Sequence, residues 1–124
     1  MTRRITRSDL RAALWAYRTL PRLRQQLRTQ RVDRIVVPPP PPLPENALRG
    51  VGAVLRRRRH TCLERSLLLQ AWHSAHGRLH NVVVGVRGSS ADFSAHAWLE
   101  GHASCHEESF DGLMSIAPSD YSHG

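Results

Sequence analysis

The chain has 124 residues and a formal net charge of +8, with 18 arginines, no lysine and ten acidic residues. This length predicts one domain over residues 1–124 with a modest core. The two cysteines, Cys62 and Cys105, fit a reducing compartment as well as a single disulfide. The sequence has neither the roughly 20 consecutive apolar residues of a membrane-spanning helix nor the apolar run of a signal peptide. We therefore expect a cytoplasmic protein with no membrane partner.

The positive charge is concentrated in the first half of the chain. Residues 1–59 contain fifteen arginines and three acidic residues, a net charge of +12. Residues 60–124 contain three arginines and seven acidic residues, a net charge of −4, together with all eight histidines. The basic half is typical of a surface that meets an acidic partner, and it is equally explained by arginines on solvated faces.

A basic, helical part is predicted for residues 1–37. Ser8 is a plausible N-cap for a helix that runs to about Leu20. An apolar stripe follows this helix at helical spacing, at Leu10, Ala13, Leu14 and Tyr17. Pro21 either interrupts the helix or opens a second one. Residues 38–44, which include five consecutive prolines, then predict a stiff polyproline II linker.

The part that follows the linker, residues 45–124, has a different pattern. Apolar spacing predicts a helix over residues 47–55, although two glycines weaken that prediction, and a second helix over residues 61–75. Two strands are predicted over residues 79–87 and 93–100, joined by a turn of hairpin length. No element is predicted beyond Gly101. Helices followed by a small antiparallel sheet indicate an α+β fold.

The start of the second of these helices places a cysteine where a thiol is activated. Thr61 and Glu64 have the spacing of a capping box, which makes Cys62 the first helical residue. Unpaired amide hydrogens and the positive end of the helix dipole favour a thiolate at that position. The same amides can stabilise an oxyanion when a carbonyl is attacked. On these residues alone, a small buried cysteine is the better explanation.

A histidine on the last predicted strand makes a catalytic cysteine the better explanation. Alternation places His96 on the polar side of the strand, where an imidazole can serve a helix-start thiol as general base and later as general acid. A third group must orient the imidazole. The candidates are Glu107, Glu108 and Asp111, because their segment is expected to return beside the His96 strand.

The residues around Cys62 and His96 resemble the leader peptidase of lasso-peptide biosynthesis, a small bacterial cysteine protease with a transglutaminase-like, papain-type fold. The resemblance lies in three segments, Thr61-Cys62-Leu63-Glu64-Arg65-Ser66-Leu67, Val82-Val83-Val84-Gly85-Val86 and Ala95-His96-Ala97-Trp98-Leu99-Glu100, with Phe93 before the last. It implies that residues 45–124 form the catalytic core, with N-terminal helices and a catalytic helix packed on a small antiparallel sheet. It also implies a Cys-His-Asp triad.

The triad carries over to this chain with one departure. Cys62 and His96 match the family's nucleophile and base, whereas its aspartate falls on Glu108; Glu107 and Asp111 are the alternatives. The implied activity is removal of the leader from a ribosomally made precursor peptide. In the stand-alone form of the family, a small protein recognises the leader and delivers it, and a macrolactam cyclase acts on the freed core. The basic first third of the chain is then a predicted docking surface for the partner or the leader.

Three other functions compete with this one. A different transglutaminase-like amidase or acyltransferase would use the same catalytic groups. Metal binding is suggested by His73, His76 and His80 and by His102, Cys105 and His106, but surface histidines explain these sets better. A non-catalytic module that binds nucleic acid would need recognition features beside the arginines, and residues 1–59 offer only Trp15 and Tyr17. We expect no metal, no cofactor and no nucleic-acid partner.

Overall fold

The computed structural model describes residues 4–31, 34–87, 94–100 and 111–118, with only the backbone for 86–87, 94–95 and 111–114. The described elements are helices α1 (Arg7–Thr29), α2 (Leu48–Arg57) and α3 (Cys62–Ala75), a 3-10 turn (Glu45–Ala47), and strands β1 (Val82–Arg87), β2 (Ser94–Leu99) and β3 (Asp111–Ile116). Three helices precede one small antiparallel sheet, so the predicted α+β class is confirmed. Within the described ranges, no helix is both long and apolar enough to cross a membrane.

Helix α1 is one continuous helix of 23 residues. Its N-cap is Thr6, two residues before the predicted N-cap Ser8, because Thr6 and Asp9 form a capping box. The Thr6 hydroxyl accepts from the Asp9 amide, and the Asp9 carboxylate accepts from the Thr6 amide. The helix also continues through Pro21. A proline inside a helix costs about 3 kcal/mol. Burial of Leu20 and Leu23 on either side, worth about 1.5–3 kcal/mol each, offsets that cost.

The buried face of α1 is not the apolar stripe that the sequence suggested. The face packed into the core consists of Ala12, Trp15, Ala16, Thr19, Leu20 and Leu23. The suggested stripe points elsewhere, since Leu10 is 61%, Leu14 49% and Tyr17 49% exposed. Helix α1 therefore has two apolar faces, and periodicity alone does not say which of them meets the core.

Helices α1 and α2 pack closely because of one glycine. A Cβ atom on Gly50 would overlap the backbone carbonyl of Asp9 and lie 2.9 Å from the Ala13 nitrogen. Beside this contact, Arg49 Nη2 donates to the Asp9 carboxylate at 2.9 Å. The glycine that weakened the prediction of α2 is thus the residue that lets α2 approach α1.

The segment that joins α1 to the 3-10 turn, residues 34–44, is hydrogen-bonded to α1 and to the C-terminal end of α3. Trp15 Nε1 donates to the Pro38 carbonyl at 3.1 Å, and a ring nitrogen of His76 lies 2.8 Å from the Leu43 carbonyl oxygen. The Gln26 side chain bonds to the Val36 amide at 2.9 Å and its carbonyl at 2.8 Å. The proline run is therefore held by α1 at its first residue and, through Leu43 just after it, by the C-cap residue of α3.

The sheet has the strand order β2-β1-β3, and both pairs are antiparallel. Strand β3 was not predicted, and its segment was expected beside the His96 strand. It pairs with β1 instead, with an irregular register between Val84 and Gly85. The end of β3 is held by α3, because Gln70 Nε2 donates to the Ile116 carbonyl at 2.9 Å. Helix α3 packs on the sheet through a shared core that includes Leu67, Leu68, Trp72, Val82, Ala97 and Leu99.

Candidate active site

The N-terminus of α3 has the capping box that the sequence predicted. The Glu64 amide donates to Thr61 Oγ1 at 3.1 Å, and the Thr61 amide donates to Glu64 Oε1 at 2.7 Å. Cys62 is the first residue of the helix, half-buried at its positive end. The local geometry around the cysteine therefore follows directly from the residues at positions 61 and 64.

An arginine from α1 completes this cap. Arg24 Nε donates to Glu64 Oε2 at 2.9 Å, and Arg24 Nη2 donates to the carbonyl of Arg59 at 2.6 Å. One guanidinium thus holds both the capping carboxylate and the backbone three residues before Cys62. Helix α1 thereby fixes the segment that leads into the candidate nucleophile.

Glu64 is held as a carboxylate although only 2% of it is exposed. Burial acts to raise the pKa of Glu64, but the hydrogen bonds from Arg24 and from the Thr61 amide, with the Arg24 charge, outweigh burial and keep the pKa below its ordinary value. The cap therefore stays ionised and acceptor-only, as both of its hydrogen bonds require.

The Cys62 thiol lies against the edge of β2. Its Sγ accepts a hydrogen bond from the Ala97 amide at 3.3 Å. In the described sheet, β2 has β1 as its only neighbour, and the Ala97 amide donates to sulfur instead of to β1. This amide therefore points away from β1. Sγ lies at the unpaired edge of β2, next to the residue that follows His96.

His96 leaves the strand on the face opposite Ala97, because successive side chains of a strand alternate. It is half-buried, its backbone pairs with Gly85 of β1, and its ring stacks on Trp98 with centroids 6.3 Å apart. The structure thus places the Cys62 thiol against the backbone of Ala97, the residue that follows the predicted base in the chain.

The three acidic candidates have different positions in the chain and in the sheet. Glu107 and Glu108 lie outside the described residues. Asp111 is the first residue of β3, where its backbone pairs with Val86. Because β1 lies between β2 and β3, the backbones of His96 and Asp111 are separated by two strand spacings, about 9–10 Å.

Three of the histidines considered for metal binding, His73, His76 and His80, lie in the described part of the chain and contact protein groups there. The two ring nitrogens of His76 each lie 2.8 Å from a carbonyl oxygen, those of Trp72 and Leu43. His73 and His80 make an edge contact with ring centroids 5.6 Å apart. Among the described residues, no group of three or more His, Cys, Asp or Glu side chains is placed to hold a metal ion. His102, Cys105 and His106 lie outside these residues.

Sequence reasoning missed two contributors to this site. One is Arg24, which lies 40 positions from Glu64 and is one of many arginines in the first half. The other is the Ala97 amide, a backbone group whose direction depends on which strand is at the edge. Neither has a local sequence signal, because both depend on how α1 and β2 are placed around α3.

Comparison with known proteins is consistent with this geometry. The profile of the transglutaminase-like superfamily matches residues 8–116, which include the described helices and strands except for the first residue of α1. No curated protein and no solved structure shows a significant match. Since the matched region spans most of the chain, this protein belongs to the transglutaminase-like superfamily.

Proposed function

We propose that this protein is a cysteine peptidase that removes the leader from a ribosomally synthesised lasso-peptide precursor. The observation that carries the catalytic part of the proposal is the position of Cys62, at the start of α3 with Sγ 3.3 Å from the amide next to His96. Membership of a superfamily that includes cysteine-dependent enzymes supports acyl transfer through sulfur. The choice of a leader peptide as substrate rests on the resemblance of the Cys62 and His96 segments.

The proposed reaction has two halves. The Cys62 thiolate attacks the scissile carbonyl carbon, and collapse of the tetrahedral intermediate breaks the C–N bond. The leaving amine, which becomes the N-terminus of the core peptide, takes a proton from the His96 imidazolium. The leader remains as a thioester on Cys62. His96 then takes a proton from water as the water oxygen attacks the thioester carbonyl carbon. The C–S bond breaks, the leader leaves with a free carboxylate, and Cys62 returns to the thiolate.

Free amides at the N-terminus of α3 are the natural donors for the oxyanion of both intermediates. The acid that orients His96 is proposed to be Glu108, with Glu107 or Asp111 as alternatives. Because a glutamate has a longer side chain than the aspartate of the family, it can reach the imidazole from a slightly more distant backbone.

The proposed partners follow from the same resemblance. A small leader-binding protein presents the precursor, and the macrolactam cyclase receives the core. The precursor and both proteins are expected to be encoded beside this gene, which makes the substrate identifiable. We propose that all of these reactions take place in the cytoplasm.

A labelled-water experiment tests the function against its closest alternative. The protein is incubated with precursor and leader-binding protein in H₂¹⁸O, and both products are weighed by mass spectrometry. A peptidase places one ¹⁸O in the leader carboxylate. An acyltransferase instead gives a leader joined to an added amine, without ¹⁸O. The Cys62→Ala variant is expected to give neither product, whereas Cys105→Ala keeps the activity.

A further inference from the structure

The exposed apolar face of α1 forms one wall of a groove. Leu10 and Tyr17 are 61% and 49% exposed, and Ile5, just before the helix, is 71% exposed. A helix that already buries one apolar face in the core does not need a second one for folding. Clustered apolar side chains that stay exposed mark interaction sites more often than scattered ones.

Helix α2 forms the opposite wall. The cavity between the two helices has a volume of about 700 Å³. Its apolar lining comes from Ile5, Leu10, Ala13 and Tyr17 on one side and from Ala53 and Val54 on the other. We call this the α1–α2 groove. Its concave shape suits a few inserted side chains, as in grooves that receive an amphipathic helix.

The rim of the α1–α2 groove is strongly basic. Five arginines line it, namely Arg4, Arg49, Arg56, Arg57 and Arg58. The one acidic lining residue, Asp9, is already used by the Thr6 amide and by Arg49. Arg58 lies 4.5 Å above the Tyr17 ring, which fixes a cation beside the apolar floor. The rim charge is therefore not balanced by the carboxylate that the groove contains.

From this combination we infer that the α1–α2 groove binds an acidic amphipathic helix of a partner protein. The apolar face of that helix covers Leu10 and Tyr17, and its flanking carboxylates meet the arginines of the rim. Nucleic acid fits less well, because the lining is concave and, apart from Tyr17, its apolar side chains are aliphatic. A membrane surface fits less well, because these apolar side chains line a concave groove between two helices and not the convex face of a single helix.

The groove is continuous in the chain with the candidate active site. Arg58 follows the last residue of α2, and the Arg59 carbonyl is held by Arg24. A helix seated in the groove therefore lies beside the segment that leads into α3. The binding itself does not depend on the chemistry of Cys62, so it is measured on the Cys62→Ser variant. Failure of binding is thereby distinguished from failure of the proposed catalysis.

The probe is a fluorescein-labelled synthetic peptide of 18 residues that has leucines on one helical face and glutamates along its borders. A second peptide has lysine in place of each glutamate. Anisotropy is measured at about 0.15 M salt, where weak surface charge effects are screened. We expect micromolar binding of the acidic peptide and at least about tenfold weaker binding of the basic one.

Three protein variants locate the binding. Leu10→Asn and the double variant Arg56→Glu/Arg57→Glu are each expected to weaken binding about tenfold, by removing floor and rim contacts. The control is Arg22→Glu/Arg28→Glu, which makes the same charge change at exposed positions outside the groove. It is expected to change binding less than about twofold.

Several results would overturn the inference. Equal loss in both double variants means that net charge, and not the groove, attracts the peptide. Equal binding of the two peptides removes the role of the rim, and absence of binding removes the site. Tighter, Leu10-dependent binding to vesicles of phosphatidylglycerol or to a DNA duplex would assign the groove to a membrane or to nucleic acid instead.

Discussion

Arg24 of α1 and Glu64 of α3 form an ion pair of 2.9 Å that connects the first helix to the cap of the candidate catalytic helix. The carboxylate is 3% exposed and the guanidinium side chain 41%. The same arrangement occurs at the other end of α1, where Arg49 of α2 pairs with Asp9 at 2.9 Å. Each capping-box carboxylate is thus held by an arginine from another helix, so the caps tie the three helices together.

Removal of the Arg24 side chain should loosen the start of α3. Arg24→Gln leaves the buried Glu64 carboxylate with only its backbone partner, and we expect the free energy of unfolding to fall by about 1–2 kcal/mol, less than for a fully buried pair. Urea unfolding measures the change. The matched control is Arg22→Gln, an exposed position on the same helix, for which we expect a change within about 0.5 kcal/mol. Equal effects of the two substitutions would contradict the role of the pair.

The two capping carboxylates should make the free energy of unfolding decrease at acidic pH. Backbone and side-chain hydrogen bonds from Thr6, with Arg49, lower the pKa of Asp9 below its ordinary 3.8 despite burial, and Glu64 lies below its ordinary 4.5. The unfolded chain therefore binds protons more readily than the folded one. This contribution to stability is complete above about pH 4.5 and is lost as the pH falls through the lowered values.

Unfolding midpoints in urea between pH 7 and pH 3 test this dependence. Glu64→Gln removes one of the two titrating groups, and its stability should fall less steeply with decreasing pH than that of the unchanged protein. If the two slopes coincide, Glu64 does not contribute to the acid sensitivity.

The two glycines of α2 should respond in opposite ways to the same substitution. Gly50→Ala places a methyl group against the backbone of Asp9 and Ala13, and the resulting strain of about 1–3 kcal/mol exceeds the gain of up to about 1 kcal/mol in helix propensity. At Gly52 the nearest atom to an added Cβ is the flexible end of Arg56, at 3.4 Å. Gly52→Ala should therefore stabilise the protein by up to about 1 kcal/mol. Thermal or urea unfolding of both variants measures the two changes in stability. Stabilisation by Gly50→Ala would show that α1 and α2 can move apart without cost.

Local features of this fold could be predicted from the sequence, because they depend on residues three or four positions apart. The Thr61–Glu64 capping box and Cys62 as first helical residue belong to this class. The same is true of the end of α3 at Ala75, two residues before Gly77, whose φ is +79°. The strand that carries His96 was predicted from alternation along a few residues. The candidate thiol and base were predicted from the same local patterns.

The features that could not be predicted depend on how distant elements are placed. The apolar stripe of α1 at Leu10 and Tyr17 has the same periodicity as the buried one, and only the position of α2 decides which face is covered. Strand β3 is as long as β1 and β2, but its place beside β1 is a long-range pairing, and its end is held by α3 through Ile116. The Arg24–Glu64 pair joins residues from different helices, and no spacing rule identifies it.

If Cys62 is the nucleophile, it forms a thioester with the leader, and this bond can be trapped before water cleaves it. The protein is mixed with precursor and leader-binding protein, quenched with acid within seconds and analysed by intact mass and peptide mapping. We predict an adduct of the mass of the leader on Cys62, decreased in His96→Gln and absent in Cys62→Ser. Cleavage of the precursor by Cys62→Ser, or a leader adduct on Cys105, would show that Cys62 is not the nucleophile.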